Sequence, residues 1–513
     1  MFVRKKKNRS GTTSVIVVDK SNNRFREVKS IGTSSNEEGI EDFVFLGRKW
    51  IDERSNGADM FASKAQEQEE LYLAENLLSN IDNILLNGTQ LILDKVYDSI
   101  GFDAIEDRTL RHLVIYRLCQ PQSKAATVDY LKSHFDEDVR LHQLYRYLDK
   151  LNSQFKDRLQ EISVQHTRKV LGNAINIVFY DVTTLYFESD KSDELRKPGY
   201  SKDGKHSLPQ IVLGLLVSIG GYPLAYAIHE GNKYEGHTML PVVDGFVEKY
   251  DLKDFVVVAD SGLMNKSNID LLEQKDYKYI IGARIKNESK EVKSWILSLE
   301  KKDGLYHFCR KSSRANMIVG YSSKRARKDE YNRQKGISRL EKEFKSGVIT
   351  KDKVNKRGYN KFLKVSNNVE VEVDYSKIEE DSKWDGLKGY ITNTNLAPEL
   401  VHEQYSGLWQ VEKAFRVTKG TLELRPMFHF TPKRIEAHIC ICFVAYKVYK
   451  ELERLLKLNN IELSADKVLA ISKTITTVQM RLQSTGKIFE KTMLITDSHK
   501  SIAMLFEDDF WKN

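Results

Sequence analysis

The sequence predicts an α/β protein in which an alternating core is interrupted by a β-rich insert and preceded by a helical region. Three observations carry this. Strand-like runs Ile175–Tyr180, Leu208–Ile219 and Tyr222–His229 follow one another directly. Helical and strand-like runs then alternate: Thr238–Tyr250, Asp254–Ala259, Asn268–Lys275, Tyr277–Ala283. The alternation stops between Arg284 and Asp385, too long a gap for a loop, and resumes with a strand at Lys388–Thr392 and a helix over Pro398–Thr421.

From the N-terminus, Ser14–Val18, a turn at Ser21–Asn23 and Phe25–Ile31 read as a β-hairpin. Residues 61–170 read as helical, with apolar residues at three- and four-residue spacing in Leu71–Leu93 and Arg108–Cys119, a break at Pro121, and helices near Ser123–Phe135 and Leu141–Leu151. These helices, with Lys124, Lys132, Arg140 and Arg146, suit either a DNA-binding helical unit or a plain helical domain with a solvated charged face. Within the insert, strand-like runs fall at Tyr306–Phe308, Met317–Tyr321, Phe362–Val365 and Val369–Tyr375, and a charged helix at Ser323–Phe344. The expected division is therefore an N-terminal hairpin region (1–60), a helical DNA-binding region (61–170), a core (171–284 and 386–450) split by the insert (285–385), and a C-terminal helical region (451–513). Three successive strands before parallel α/β units is the order of a ribonuclease-H-like fold.

Composition narrows the class. A length of 513 residues calls for several domains, and a formal net charge of +9 suits a nucleic-acid partner without requiring one. The four cysteines form no disulfide framework, which fits a reducing cytoplasm. His438, Cys440 and Cys442 do not make a metal cluster, because helix positions two apart point in nearly opposite directions. No signal peptide is expected, since no apolar stretch follows the basic Met1–Lys7. The apolar run Ile211–Ile228 is broken by Gly220-Gly221-Tyr222-Pro223 and reads as two buried strands, not a membrane segment.

Three acids occupy chemically suggestive places. Asp181 and Asp260 each follow a buried strand, where open α/β sheets place their ligands, although a lone Asp there is more often a turn or cap residue. Glu412 lies on the Pro398–Thr421 helix. An advance of about 100° per residue puts Tyr405, Glu412, Arg416 and Lys419 on one polar stripe, beside a buried stripe of Val411, Phe415 and Leu422. The plainer alternative is a surface Glu412–Arg416 pair four residues apart. Carboxylates of this kind suit a pair of Mg²⁺ ions, with Mn²⁺ able to substitute, in phosphodiester chemistry.

The motifs Tyr180-Asp181-Val182-Thr183-Thr184, Ala259-Asp260-Ser261-Gly262 and the Glu412 helix resemble the DDE insertion-sequence transposases. More narrowly they resemble the branch with a Tyr-x2-Arg-x3-Glu-x6-Lys signature and a β-rich insert, here Tyr405-x2-Leu408-x3-Glu412-x6-Lys419. Gly231–Thr238, Leu424-Arg425-Pro426 and Arg434–Ile439 are also similar to family features, and the likeness spans about residues 174–450. Leu408 departs from the usual Arg. Either Arg416 makes the missing phosphate contact, or end binding is weaker.

The resemblance implies an active bacterial enzyme that binds terminal inverted repeats, cleaves the element ends and joins the 3′-OH ends to target DNA, acting as a homodimer. It implies Asp181, Asp260 and Glu412 as catalytic metal ligands, with Asp181 bridging both ions. Tyr405, Arg416 and Lys419 would contact DNA beside the cut. The helix carrying Lys324, Arg325 and Arg327 belongs to a stretch, Ser322–Gly347, with nine Lys or Arg against four Asp or Glu, and reads as a further DNA contact or a solvated face. Trp295 reads as a base-stacking residue or a core residue. The competing functions are a catalytically silent DNA-binding regulator and a structure-specific nuclease on the same fold.

Overall fold

The computed structural model describes residues 1–506, apart from 21–23, 136, 190, 201–203, 205–206, 264, 347–357, 367–369 and 426. The expected turn at Ser21–Asn23 and the proline of Leu424-Arg425-Pro426 lie outside the described residues. The chain divides into two compact units, Met1–Ile84 with Val478–Lys491, and Leu85–Thr477 with Thr492–Asn513.

The chain begins with β1 (Phe2–Lys7), β2 (Thr13–Asp19), β3 (Arg26–Ser34), α1 (Glu37–Ser79) and β4 (Ile81–Leu85). Helices α2 (Gly88–Ile100), α3 (Arg108–Cys119), α4 (Lys124–Phe135) and α5 (Leu141–Val170) follow. Next come β5 (Ile177–Tyr186), β6 (Lys197–Pro198), β7 (Pro209–Ser218), β8 (Pro223–Glu230), α6 (Met239–Tyr250), β9 (Val256–Ala259), α7 (Lys266–Gln274) and β10 (Lys278–Ala283). After them stand α8 (Lys290–Ser298), β11 (Tyr306–Arg310), β12 (Asn316–Tyr321), α9 (Ser323–Lys345), β13 (Leu363–Ser366), β14 (Glu370–Val373) and α10 (Tyr375–Ser382). The chain continues through β15 (Leu387–Thr392), α11 (Pro398–Ser406), α12 (Trp409–Lys419) and α13 (Pro432–Leu458). It closes with α14 (Ala465–Ser472), β16 (Thr476–Arg481), β17 (Ile488–Met493) and α15 (Asp497–Ala503).

The first unit holds two small sheets, β1-β2-β3 and β17-β16-β4. The expected hairpin is thus three-stranded. Its extra strand escapes the apolar pattern because Phe2–Lys7 is mostly charged and almost wholly exposed, as suits an edge. The expected continuous helix over Leu71–Leu93 is broken by β4. Asn80, Asn83, Asn87 and Gly88 are poor helix formers, and pairing with β16 overrides the local apolar spacing. The C-terminal region, expected to be helical, likewise contains the β16 and β17 strands.

The second unit is built on a nine-stranded sheet ordered β11-β12-β15-β10-β9-β5-β7-β6, with β8 beside β7. β5 runs antiparallel to β7, and β7 antiparallel to β8. β9 is parallel to β5 and to β10. The apolar run expected as two strands is this β7–β8 pair, and among the described residues no helix is long and apolar enough to cross a membrane. Side chains alternate along β5. Phe179 joins a core with α2, α3, α5 and α11–α13, while Val178, Tyr180 and Val182 join one with α6, α7 and α8. Cys440 and Cys442 are fully packed inside α13.

The stretch between Arg284 and Asp385 divides. β11 and β12 extend the main sheet through β15, and the remainder packs a small cluster of Leu340, Phe362, Leu363 and Val371 around α9 and the β13–β14 hairpin. A two-pronged Arg333–Asp385 pair, with both contacts at 2.5 Å, ties α9 to the residues just before β15. The long helix expected over Pro398–Thr421 is two, α11 and α12, joined through Gly407 and Leu408. A side chain at Gly407 would place its Cβ 2.6 Å from the Phe179 ring, so the joint lies directly on β5. Gly407→Ala is therefore expected to destabilise the fold by about 1–3 kcal/mol through overpacking, read as a lower urea midpoint with unchanged slope.

Candidate active site

The site begins with strand register. Tyr180 on β5 pairs with Ala259 on β9, so Asp181 and Asp260 occupy the next position on two neighbouring parallel strands. Such strands run about 4.8 Å apart. Because Tyr180 and Ala259 turn toward the α6–α8 core, alternation turns Asp181 and Asp260 to the face where α11 and α12 lie. Asp181 does not end its strand, as the sequence suggests. β5 continues to Tyr186 because β7 pairs along its whole length, with Asp181 opposite Leu215. Asp260, one residue beyond β9, is exposed.

The Glu412 helix delivers the third acid and separates it from Tyr405. At the joint, Leu408 N–H donates to Tyr405 O, Gln410 N–H to Gly407 O and Val411 N–H to Leu408 O, all three residues back. These tighter turns advance the chain more per residue than an α-helix. The single stripe predicted for Tyr405, Glu412, Arg416 and Lys419 is therefore broken. Tyr405 is buried, and its hydroxyl donates to Asp260 Oδ1 at 3.0 Å. Burial, then the charge of Asp260 and this bond, hold the phenol well above its ordinary pKa, so it remains a donor. Glu412 and Arg416 stay exposed, and among the described residues neither side chain has a hydrogen-bond or ion-pair partner. The alternative Glu412–Arg416 surface pair is not formed. Lys419 Nζ donates to Thr183 Oγ1, two residues beyond Asp181 on the same face of β5. Leu408, the departure from the family signature, is buried beside Val411 and Phe415.

Lys388, which the sequence does not single out, lies among these groups. Its ammonium stands 4.4 Å from the centre of the Tyr405 ring. Burial and then Arg325 pull its pKa down, while Asp260 and Glu412 push it up. Both carboxylates thus act on one cation. Asp260, Arg284, Arg325, Lys388 and Tyr405 line a cleft of about 490 Å³. Arg325 also faces Asp329 on its own helix at 3.5 Å, whereas Lys324 and Arg327 point into solvent. Trp295 is partly buried against the α6–α8 core, the packing expected of its core alternative. Trp409, by contrast, is 57% exposed one turn before Glu412, and no sequence pattern distinguishes it from a core tryptophan.

The donor set is of the right kind for a hard divalent cation, namely carboxylate oxygens. It is not gathered: among the described residues, no three His, Cys, Asp or Glu side chains stand close enough together to hold a metal ion.

The fold thus carries two acids on adjacent strands of a mixed sheet, with a third on a helix packed over β5. Residues 172–447, more than half of the chain, match the transposase DDE domain, and the chain belongs to that family, whose members act in transposition and DNA recombination. The family implies a DNA nuclease and strand-transferase activity, generally supported by divalent metal. Comparison with curated protein sequences finds no match. Among solved structures, a piggyBac transposase synaptic complex with hairpin DNA is similar at a TM-score of 0.39 and 10% identity, covering 75% of this chain and 76% of that one.

Tyr405 positions Asp260 from within the core, so its loss should divide function from stability. Tyr405→Phe is expected to cost about 0.5–1.5 kcal/mol of stability, the worth of one hydrogen bond, while slowing DNA cleavage by roughly tenfold or more. Parallel urea titrations and nicking assays check this; an unchanged nicking rate removes the positioning role.

Proposed function

We propose that this protein is the transposase of a bacterial insertion sequence, binding its element's terminal inverted repeats as a homodimer, hydrolysing the end phosphodiesters and joining the 3′-OH ends to target DNA. The observation that carries the reading is the placement of Asp181 and Asp260 at one register position on parallel strands, with Glu412 on the helix packed over β5. The β8-β7-β5-β9-β10 order, three antiparallel strands and then two parallel ones, supports a ribonuclease-H-like core.

In this reading Asp181, Asp260 and Glu412 are the residues that would hold divalent metal, Mg²⁺ or Mn²⁺ in its place. When bound, the ions activate the attacking oxygen and stabilise the departing one. The chain's own residues do the rest. Tyr405 fixes the Asp260 carboxylate from below. Lys388 offsets the charge of Asp260 and Glu412. Arg416, exposed and unpaired among the described residues, offers its guanidinium fork to a phosphate beside the scissile bond. Lys419 reaches DNA from the Thr183 side, and the α9 face with Lys324, Arg325 and Arg327 extends the contact. The α3–α5 region contacts the terminal repeats. Of the four cations expected there to meet a phosphate, Lys132, Arg140 and Arg146 are exposed and Lys124 is buried.

Two predictions follow from these roles. Asp181→Asn, Asp260→Asn and Glu412→Gln are each expected to abolish Mg²⁺-dependent nicking of end DNA while leaving binding to it near normal. Full nicking by any one removes that acid from the site, and inactivity of the wild-type protein with intact end binding supports the silent regulator instead. Arg416→Ala is expected to reduce the slope of log affinity against log salt by about one unit, since each phosphate contact releases counterion. An unchanged slope with normal affinity assigns Arg416 no phosphate.

A further inference from the structure

Away from the acidic site, α3, α4 and α13 enclose a small cavity of about 120 Å³ with an unusual lining. Arg117, Lys124, His429 and His438 all face it, and they are 3%, 4%, 9% and 4% exposed. Buried cations are ordinarily paired, because an unpaired charge pays its desolvation with nothing in return. Here they are not. Lys124 has no hydrogen-bond or ion-pair partner among the described residues. The Arg117 guanidinium reaches one carbonyl, that of Gln122, at 3.5 Å, and its Nε has no partner. Nδ1 of His438 is also unsatisfied, and the two imidazoles lie 5.1 Å apart. The one carboxylate on the wall, Glu423, has an exposed side chain and bonds to none of the four among the described residues.

We infer that this cavity is a binding site for a tetrahedral oxyanion of the phosphate type. Arg117 supplies a planar fork, Lys124 a point charge and the imidazoles further donors, the combination that recognises such an anion. Without an anion the cluster is electrostatically frustrated. Burial and then Arg117 bring the Lys124 ammonium down to about 7, and burial, then Lys124, Arg117 and Arg434, bring His429 down to about 3. His438 is held well below its ordinary value by burial, Arg117, Lys124 and His429, and the Cys442 thiol nearby only slightly favours the Lys124 charge. An anion reverses this by favouring every protonated form, so binding near pH 7 takes up protons, chiefly on Lys124. The site is independent of the acidic cluster and does not rest on metal binding there.

The test uses the full-length protein and inorganic phosphate or sulfate, with chloride at equal ionic strength as control. Phosphate is expected to raise the melting temperature by several degrees over chloride. Calorimetry in buffers of different ionisation enthalpy should show proton uptake near pH 7. Lys124→Met keeps the length and apolar stem of the side chain, removes the buried charge, and should melt no lower than wild type. It should lose both the phosphate-induced rise and the proton uptake. Competition of phosphate with a short DNA duplex, together with a salt slope shallower by about one unit in Lys124→Met, identifies the anion as a backbone phosphate. Duplex binding untouched by either identifies a free oxyanion. No phosphate-specific rise in the wild type, or an equal rise in Lys124→Met, overturns the site.

Discussion

The parallel pairing of β5 with β9 is the constraint on which the rest of the structure depends. With Tyr180 opposite Ala259, two aspartates far apart in sequence arrive side by side on one face. A slip of one residue would turn one of them into the opposite core, because side chains alternate with a period of two. The register is protected by burial on both faces: Phe179 packs with the α11–α13 side, Val178 and Tyr180 with the α6–α8 side. Moving the strand would exchange those partners, and the apolar cost enforces the polar geometry.

The same strand also seats the third acid. Gly407 brings the α11–α12 joint against the Phe179 ring, and Leu408 is buried beside it, so the departure from the family signature serves packing at this joint. The tightened turn there turns Tyr405 inward to Asp260 and leaves Glu412 and Arg416 outward. Charge follows the same division. Asp260 and Glu412 both favour the charged form of Lys388, and Arg284 and Arg325 line the same cleft as Asp260 and Lys388. Acids bordered by cations are able to exchange that charge balance when a polyanion approaches.

Much of this was legible in the sequence. The core strands announce themselves as apolar runs, and α3 falls on Arg108–Cys119 as the spacing predicts. The charged helix near Ser323–Phe344 is α9, and the four strand-like runs between Arg284 and Asp385 fall on β11, β12, β13 and β14, with Val369 outside the described residues. Other features are set by tertiary contact. β4 pairs with β16, far along the chain, and the charged β1 with its neighbour β2, both against their local patterns. Only register reveals that β11 and β12 join the main sheet. The turn that separates Tyr405 from Glu412 depends on three backbone hydrogen bonds, and a fixed helical advance has no way to express them. Lys388 sits in an ordinary short strand, and its importance comes wholly from what lies across from it. Lys124 reads as a surface charge in sequence because the helix that buries it, α13, lies some three hundred residues further along.

The central claim is that β5, β9 and α12 together build one divalent-metal site. Its most direct test is a crystal structure of the full-length protein with end DNA and Mn²⁺, with data collected to locate manganese by anomalous scattering. The account predicts manganese between Asp181 and Asp260, with Glu412 drawn in from α12 and Tyr405 still donating to Asp260. Manganese bound elsewhere, or a DNA complex in which Asp181 and Asp260 share no ion, would contradict it.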